Sequence, residues 1–290
     1  MSYTIITDAC SDLLPEMVKE MDVVVIPMEF EIGGKTYLHY PDWRSMQSKR
    51  FFDLMRQKNV AKTFQVTPET YLKTFEEEYA KSKEMLVVAF SSALSGTCNN
   101  AVLARNQFVE THPDAKIEVV DSLSACGGQG LLVAYVAHNR NVLNMSMEDN
   151  LKWLKENTLH LCHRFTVDDL GTLRRGGRLS ATSAFLGAMI GIKPVLHVDN
   201  EGKLVPTDKV RGRMKSLRTL VDHMKETIIN PEDQIIYIHH ADDIEAANKV
   251  AEMIRSEVQV KEIKILPFGP IIGAHTGPGA IALFFMGTER

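Results

Sequence analysis

Through the first half of the chain, short apolar runs alternate with stretches of helical period. Residues 3–7 form an apolar run that stops at Asp8, helical spacing follows over 13–20, and 23–30 is apolar again. Gly33 and Gly34 predict a hairpin turn into a strand over 35–40. The spacing over 44–58 predicts a helix with Phe51, Phe52 and Met55 on one face. Thr67 and Pro68 then read as the N-cap and first residue of a helix that runs to about residue 83. A buried strand over 85–90 precedes a helix with its periodic stretch at 102–109. A strand over 117–120 precedes helices over 131–139 and 147–156. This β-α-β order predicts a parallel, Rossmann-like sheet with helices on both faces.

From residue 159 the pattern changes. Strands over 159–165, 193–198 and 204–210, the last two joined by a turn at 199–202, predict an antiparallel layer. Helices over 214–227 and 244–256 alternate with strands over 234–239 and 262–266. The expectation is an α/β protein of two domains. Residues 1–158 form the parallel-sheet domain and 159–290 a smaller α+β domain, with no internal repeat.

The most informative polar segment is Ser91-Ser92-Ala-Leu-Ser95-Gly96-Thr97, placed where a buried strand ends and a helix begins. The first amides of a helix lack intrahelical partners, and with the helix dipole they favour an anion. Hydroxyls on Ser92, Ser95 and Thr97 add donors. The alternative is that Ser95 only caps the helix. Two further strand ends, Thr7-Asp8 and Asp121-Ser122, carry polar groups that could converge with it, and Thr63 with Gln65 lies in the loop before the Pro68 helix. Near the other end of the chain, 269–279 reads as a glycine-rich loop centred on His275, either an anion partner or a surface histidine.

Composition removes several classes of function. With 290 residues and 44% hydrophobic content the chain can bury a full core, and a net charge of −4 gives no footprint for nucleic acid. No signal peptide and no bilayer-length apolar stretch is visible, so a cytoplasmic location is expected. Cys10, Cys98, Cys126 and Cys162 are far apart and lack metal-ligand spacing, so they read as free thiols with no metal site. Nucleotide-binding, serine-hydrolase and zinc-protease signatures are missing, and no catalytic residue or cofactor is assigned. Arg174, Arg175 and Arg178 precede the apolar stretch 181–190, the pattern of a helix that lies against an anionic surface or lids a greasy cavity. A short helix buried between domains, with solvated arginines, fits the same pattern.

Taken together, Thr7-Asp8 with Asp12-Leu13, the Ser91 to Thr97 motif, Gly176-Gly177-Arg178-Leu179-Ser180, and Gly269-Pro270 with Gly273-Ala-His275-Thr-Gly277-Pro-Gly279 resemble the DegV family from the first strand to the last ten residues. Members of that family include the fatty-acid-binding subunits of bacterial fatty acid kinase. The resemblance implies a long-chain fatty acid buried between two domains. Its carboxylate would lie at Thr63, Ser95 and His275, with the Gly96 and Thr97 amides as further donors and Ser92 and Ser122 at the pocket mouth. It also implies a carrier, not an enzyme, whose bound acid is phosphorylated to an acyl phosphate by a separate kinase subunit and exchanged by transient contact with a membrane. The Arg174, Arg175 and Arg178 region would serve as docking and lid surface. The sequence departs from the family pattern at Ala9 and Cys10, where hydroxyl residues are usual, and at Thr63-Phe-Gln-Val66, where Thr-Ser-Gln-Pro is common. An acyl hydrolase or transferase using Ser95 as nucleophile and His275 as base, and a lipid-bound regulatory protein, remain as alternatives.

Overall fold

A computed structural model describes residues 3–168, 170–179 and 191–290. The apolar stretch 181–190, and with it the expected lid, lies outside the described residues.

Among the described residues the strands form three sheets. The first is all parallel in the order β2-β1-β6-β7, built from β1 (Thr4–Asp8), β2 (Val23–Ile26), β6 (Glu84–Ala89) and β7 (Lys116–Asp121). Helices α1 (Pro15–Met21), α3 (Pro68–Tyr79), α4 (Thr97–Thr111), α5 (Gly127–Asn141) and α6 (Met147–Asn157) accompany it. The predicted single strand over 23–30 is two strands. Pro27 lacks the N–H a continuous ladder needs, so the chain leaves the first sheet after Ile26 and re-enters another at β3 (Met28–Ile32). There β3 pairs antiparallel with β4 (Lys35–His39) and with β5 (Lys62–Thr63), which sets Thr63 opposite Phe30.

The third sheet is mixed, in the order β10-β9-β8-β13-β11-β12. Its strands are β8 (Leu161–Thr166), β9 (Ile192–Val198), β10 (Leu204–Arg211), β11 (Ile235–His240), β12 (Glu262–Pro267) and β13 (Ile281–Met286). Only β11 and β12 run parallel; the other neighbours are antiparallel. Strand β13, over a run with no predicted element, lies between β8 and β11. It is apolar throughout because both faces are covered, which erases the alternation that marks a half-buried strand. Ile281, Leu283 and Phe285 pack under α8 (Arg213–Thr227) and α9 (Ile244–Glu257), whereas Ala282, Phe284 and Met286 join the larger core shared with the first sheet. The same period puts Cys162 on the outer face of β8 and Phe165 on the inner.

Three other expectations are corrected. The helix predicted over 44–58 is α2 (Ser48–Arg56), because Arg44 is held by Asp42 at 2.8 Å and lies over the Tyr40 ring, keeping 40–47 in a turn. The helix predicted over 131–139 starts at Gly127. Gly127, Gly128 and Gly130 are poor helix formers, but each stands where a Cβ would collide, with His239, His163 and the Ser11 carbonyl respectively. The glycine-rich segment around His275 is not a loop but the helix α10 (Pro270–Thr276), with Pro270 in its first turn and Gly277 closing it at a φ of +79°.

Candidate functional site

A cavity of about 310 Å³ lies between the first and third sheets, within the range of small-molecule sites, about 300–1,000 Å³. Met28, Phe90 and Leu94 line it from the first half of the chain, and Phe165, Phe268 and Phe284 from the second. One part of the wall is polar and contains Thr63, Gln65, Ser95, Arg178 and His275. Among the described lining residues, Arg178 alone carries a charge at neutral pH and no carboxylate is present.

Each polar group is placed by a different element. Pairing of β5 with β3 holds Thr63, whose Oγ1 is 2.8 Å from His275 Nε2 on α10. Ser95 stands before α4, and its Oγ accepts from the Thr97 amide at 3.2 Å and lies 3.0 Å from Thr97 Oγ1. Thr97 Oγ1 in turn accepts from the Val66 amide, so the start of α4 is tied to the segment between β5 and α3. Gln65 packs directly on Gly96, where a Cβ would collide with its Oε1. The Arg178 Nε donates to the Leu94 carbonyl at 3.0 Å, which brings the guanidinium to the cavity.

His275 is neutral at pH 7. Burial, with the Arg178 charge nearby, pushes its pKa down to about 4. Its Nδ1 is buried without a hydrogen-bond partner and packs on Gly176. The polar wall is thus two hydroxyls, an amide, a neutral imidazole and one guanidinium, a set of donors suited to a single carboxylate.

The expected site residues do not all meet here. Thr63, Ser95, His275 and Arg178 line the cavity together; Gly96, Thr97, Ser92 and Ser122 are not among its lining residues. The Thr97 amide is already engaged by Ser95. Ser92 is exposed, its amide donating to Asp121 Oδ1, and Ser122 Oγ turns inward to the Ser124 carbonyl. Arg174 and Arg175 are exposed on α7 (Gly171–Arg175). The sequence reading missed His163, which lines the cavity from β8 with its Nε2 accepting from the Ala125 amide, and Cys126; Cys10, singled out there as a departure from the family pattern, lines the cavity too. Burial holds the His163 pKa well below the ordinary value. A histidine inside an apolar strand carries no local signal of such a position.

A second, outer cleft of about 820 Å³ shares Thr63, Phe64, Arg178 and His275 with the cavity. Lys58, Lys62 and Arg175 make it basic. Phe64 and Val60 are exposed there, 42% and 66% respectively.

The fold recurs in solved proteins. A DegV family protein from Thermus thermophilus, described for its fatty acid binding, superposes with a TM-score of 0.89 at 27% identity, over 98% of this chain and 99% of that one. The Streptococcus pneumoniae Fatty Acid Kinase (Fak) B3 protein loaded with linoleic acid superposes with a TM-score of 0.84 at 25% identity, over 99% of each chain. In sequence, a DegV domain-containing protein of Clostridium perfringens is 41% identical over 288 residues, 99% of this chain and 98% of the relative. The family described as "Uncharacterised protein, DegV family" matches residues 2–288. With the match running the length of the chain and the fold shared throughout, the protein belongs to the DegV family.

Proposed function

We infer that the protein binds a long-chain fatty acid in the 310 Å³ cavity and presents its carboxylate, at the polar wall, to a partner kinase for acyl-phosphate formation. The observation that carries this reading is the meeting of Thr63, Ser95, Arg178 and His275 at one part of an otherwise apolar cavity with no acidic lining residue. Burial of each methylene contributes about 0.8 kcal/mol, so a sixteen-carbon tail represents on the order of 10 kcal/mol before the cost of association. The tail supplies affinity, and the donors keep the carboxylate ionised by replacing lost water. The cavity draws its walls from both 1–158 and 159–290, which suits a ligand held between two domains.

A carrier needs the carboxyl oxygen accessible, and the basic cleft beside Thr63 and His275 offers a route for an anionic phosphate donor held by a partner. Arg175 and Arg178 line that cleft, and with Arg174 they form the surface proposed for the kinase and for transient membrane contact. Among the described residues no helix is long and apolar enough to cross a membrane.

A hydrolase reading requires His275 to activate Ser95. The hydrogen bonds run elsewhere, His275 to Thr63 and Ser95 to Thr97, which favours the carrier over the acyl hydrolase or transferase. Organic extraction of the purified protein followed by lipid mass spectrometry tests the reading. One fatty acid per chain is expected, and an extract free of acyl chains, together with failure of the delipidated protein to take one up, would overturn it. Treatment with an activated acyl ester separates the alternatives, since an adduct on Ser95 in the intact mass supports the enzyme. Partner binding that persists after complete delipidation would favour a regulatory protein.

A further inference from the structure

No local spacing in the sequence marks a metal site, yet the fold gathers three suitable side chains at one buried point apart from the polar wall. Asp12 follows the carboxyl end of β1, Cys126 immediately precedes α5, and His239 lies on β11. One ligand atom from each falls within 4.8 Å of the other two, and Cys126 Sγ is 3.2 Å from Asp12 Oδ2. The three residues are 6%, 4% and 0% exposed.

Two of them carry polar atoms without partners. Neither ring nitrogen of His239 closes a hydrogen bond of normal geometry, although the ring faces the backbone of Pro267. Asp12 Oδ1 likewise closes no hydrogen bond of normal geometry, although it faces the backbone at Gly269. Buried polar atoms are almost always paired, and leaving one unpaired costs stability. Glycines permit the close approach of both groups: a Cβ at Gly127 would collide with His239 Nε2, and one at Gly269 with Asp12 Oδ1. A thiolate, an imidazole and a carboxylate form a donor set for a borderline-soft ion bound at about 2.0–2.3 Å, whereas Ca²⁺ and Mg²⁺ require oxygen ligands.

The geometry points to a zinc-class divalent cation site formed by Asp12, Cys126 and His239. Binding replaces the Cys126 thiol hydrogen bond to Asp12. The thiol proton, and the carboxyl proton where Asp12 holds one, pass to solvent, the thiolate coordinates the ion, and a water takes the fourth position. Because the ligands come from the end of the first sheet, the start of α5 and the third sheet, the ion would join both halves of the molecule beside the cavity wall that Cys126 lines.

The test uses the full-length protein stripped of metal. Competition of Zn²⁺ against a chromophoric chelator is expected to show one equivalent bound, and Co²⁺ to give a tetrahedral spectrum with a thiolate-to-cobalt charge-transfer band. His239→Gln and Cys126→Ser are expected to weaken Zn²⁺ binding on the order of a hundredfold. Cys98→Ser, in α4, is expected to leave it unchanged. Absence of stoichiometric uptake by the unmutated protein, a cobalt spectrum without the thiolate band, or full affinity in both variants would each overturn the site. If the variants fail to fold, the cobalt spectrum of the unmutated protein decides alone.

Discussion

Thr63 Oγ1 lies 2.8 Å from His275 Nε2, although 212 residues separate the two in sequence. A two-residue strand and a two-turn helix therefore fix the imidazole between them. The hydroxyl engages one ring nitrogen while the other packs on Gly176, so a hydrogen bond and close backbone packing orient the ring.

Replacing Thr63 by Val keeps the side-chain shape and removes the hydroxyl. Loss of this one hydrogen bond is expected to cost about 1 kcal/mol of stability. Fatty-acid affinity is expected to fall about tenfold, as one donor to the carboxylate disappears and His275 loses its anchor. Displacement of a fluorescent fatty acid measures the second quantity and urea unfolding the first. Unchanged affinity would remove Thr63 from the headgroup site.

The neutral state of His275 makes stability depend on pH in a definite direction. Its folded-state pKa, about 4, lies below the ordinary 6.5, so between those values the unfolded chain takes up a proton that the native chain refuses. The contribution is complete above pH 6.5, declines as pH falls through the window, and declines no further below about 4. Over the whole window the loss from this group is about 3 kcal/mol. His275→Gln is expected to flatten that part of the profile of urea midpoint against pH. A variant that keeps the full slope would show that other groups carry it.

Gly176 has helical dihedrals, φ −71° and ψ −10°, so alanine fits its backbone without strain. A Cβ there would stand 2.5 Å from His275 Nδ1, closer than the two atoms can approach. Gly176→Ala is therefore expected to turn the imidazole away from Thr63 and to weaken fatty-acid binding several-fold, while leaving far-UV circular dichroism unchanged. Binding equal to that of the unmutated protein would mean that the ring accommodates the methyl group without losing its role.

Arg290 joins distant parts of the chain. Its Nε donates to the Leu161 carbonyl at 3.1 Å, Nη1 to the Asp199 carbonyl at 3.2 Å, and Nη2 to Ser124 Oγ at 2.7 Å. The side chain is almost fully buried, and burial lowers its pKa to about 10, which still leaves it charged at neutral pH. Arg290→Ala removes three hydrogen bonds and leaves the buried Ser124 Oγ without its donor, while the part-buried Asp199 carbonyl still accepts from the Gly202 amide; the expected cost is roughly 3 kcal/mol. Chemical unfolding would register this as an earlier midpoint. A midpoint within error of the unmutated protein would assign the contact no energetic weight.

Much of the fold was legible in the residues because the signals are local. Thr67 and Pro68 announce the start of α3, and the structure closes that cap with the Thr67 hydroxyl accepting from the Thr70 amide. Some misread elements have local causes, Pro27 between β2 and β3 and Asp42 holding Arg44 ahead of α2; in others a tertiary contact outweighs a local preference. Gly127, Gly128 and Gly130 sit inside a helix because histidines and a carbonyl press on it, and Pro270–Thr276 within the glycine-rich segment is a helix that buries Ile271 and Ile272 in the core.

The sequence by itself determined most of the succession of strands and helices, though not β13, the break between β2 and β3 or α10, together with the polar motif at the end of β6 and the resemblance that named Thr63, Ser95 and His275, because periodicity, capping and motif order are written in the residues themselves. Only the tertiary structure decided which polar groups meet. It set Thr63 against His275, left Ser92 in solvent, turned Ser122 toward its own loop, and drew Asp12, Cys126 and His239 to one buried point. Those encounters depend on how sheets and helices pack across long sequence separations, where a displacement of a few ångströms makes or breaks a hydrogen bond and no local pattern records the outcome.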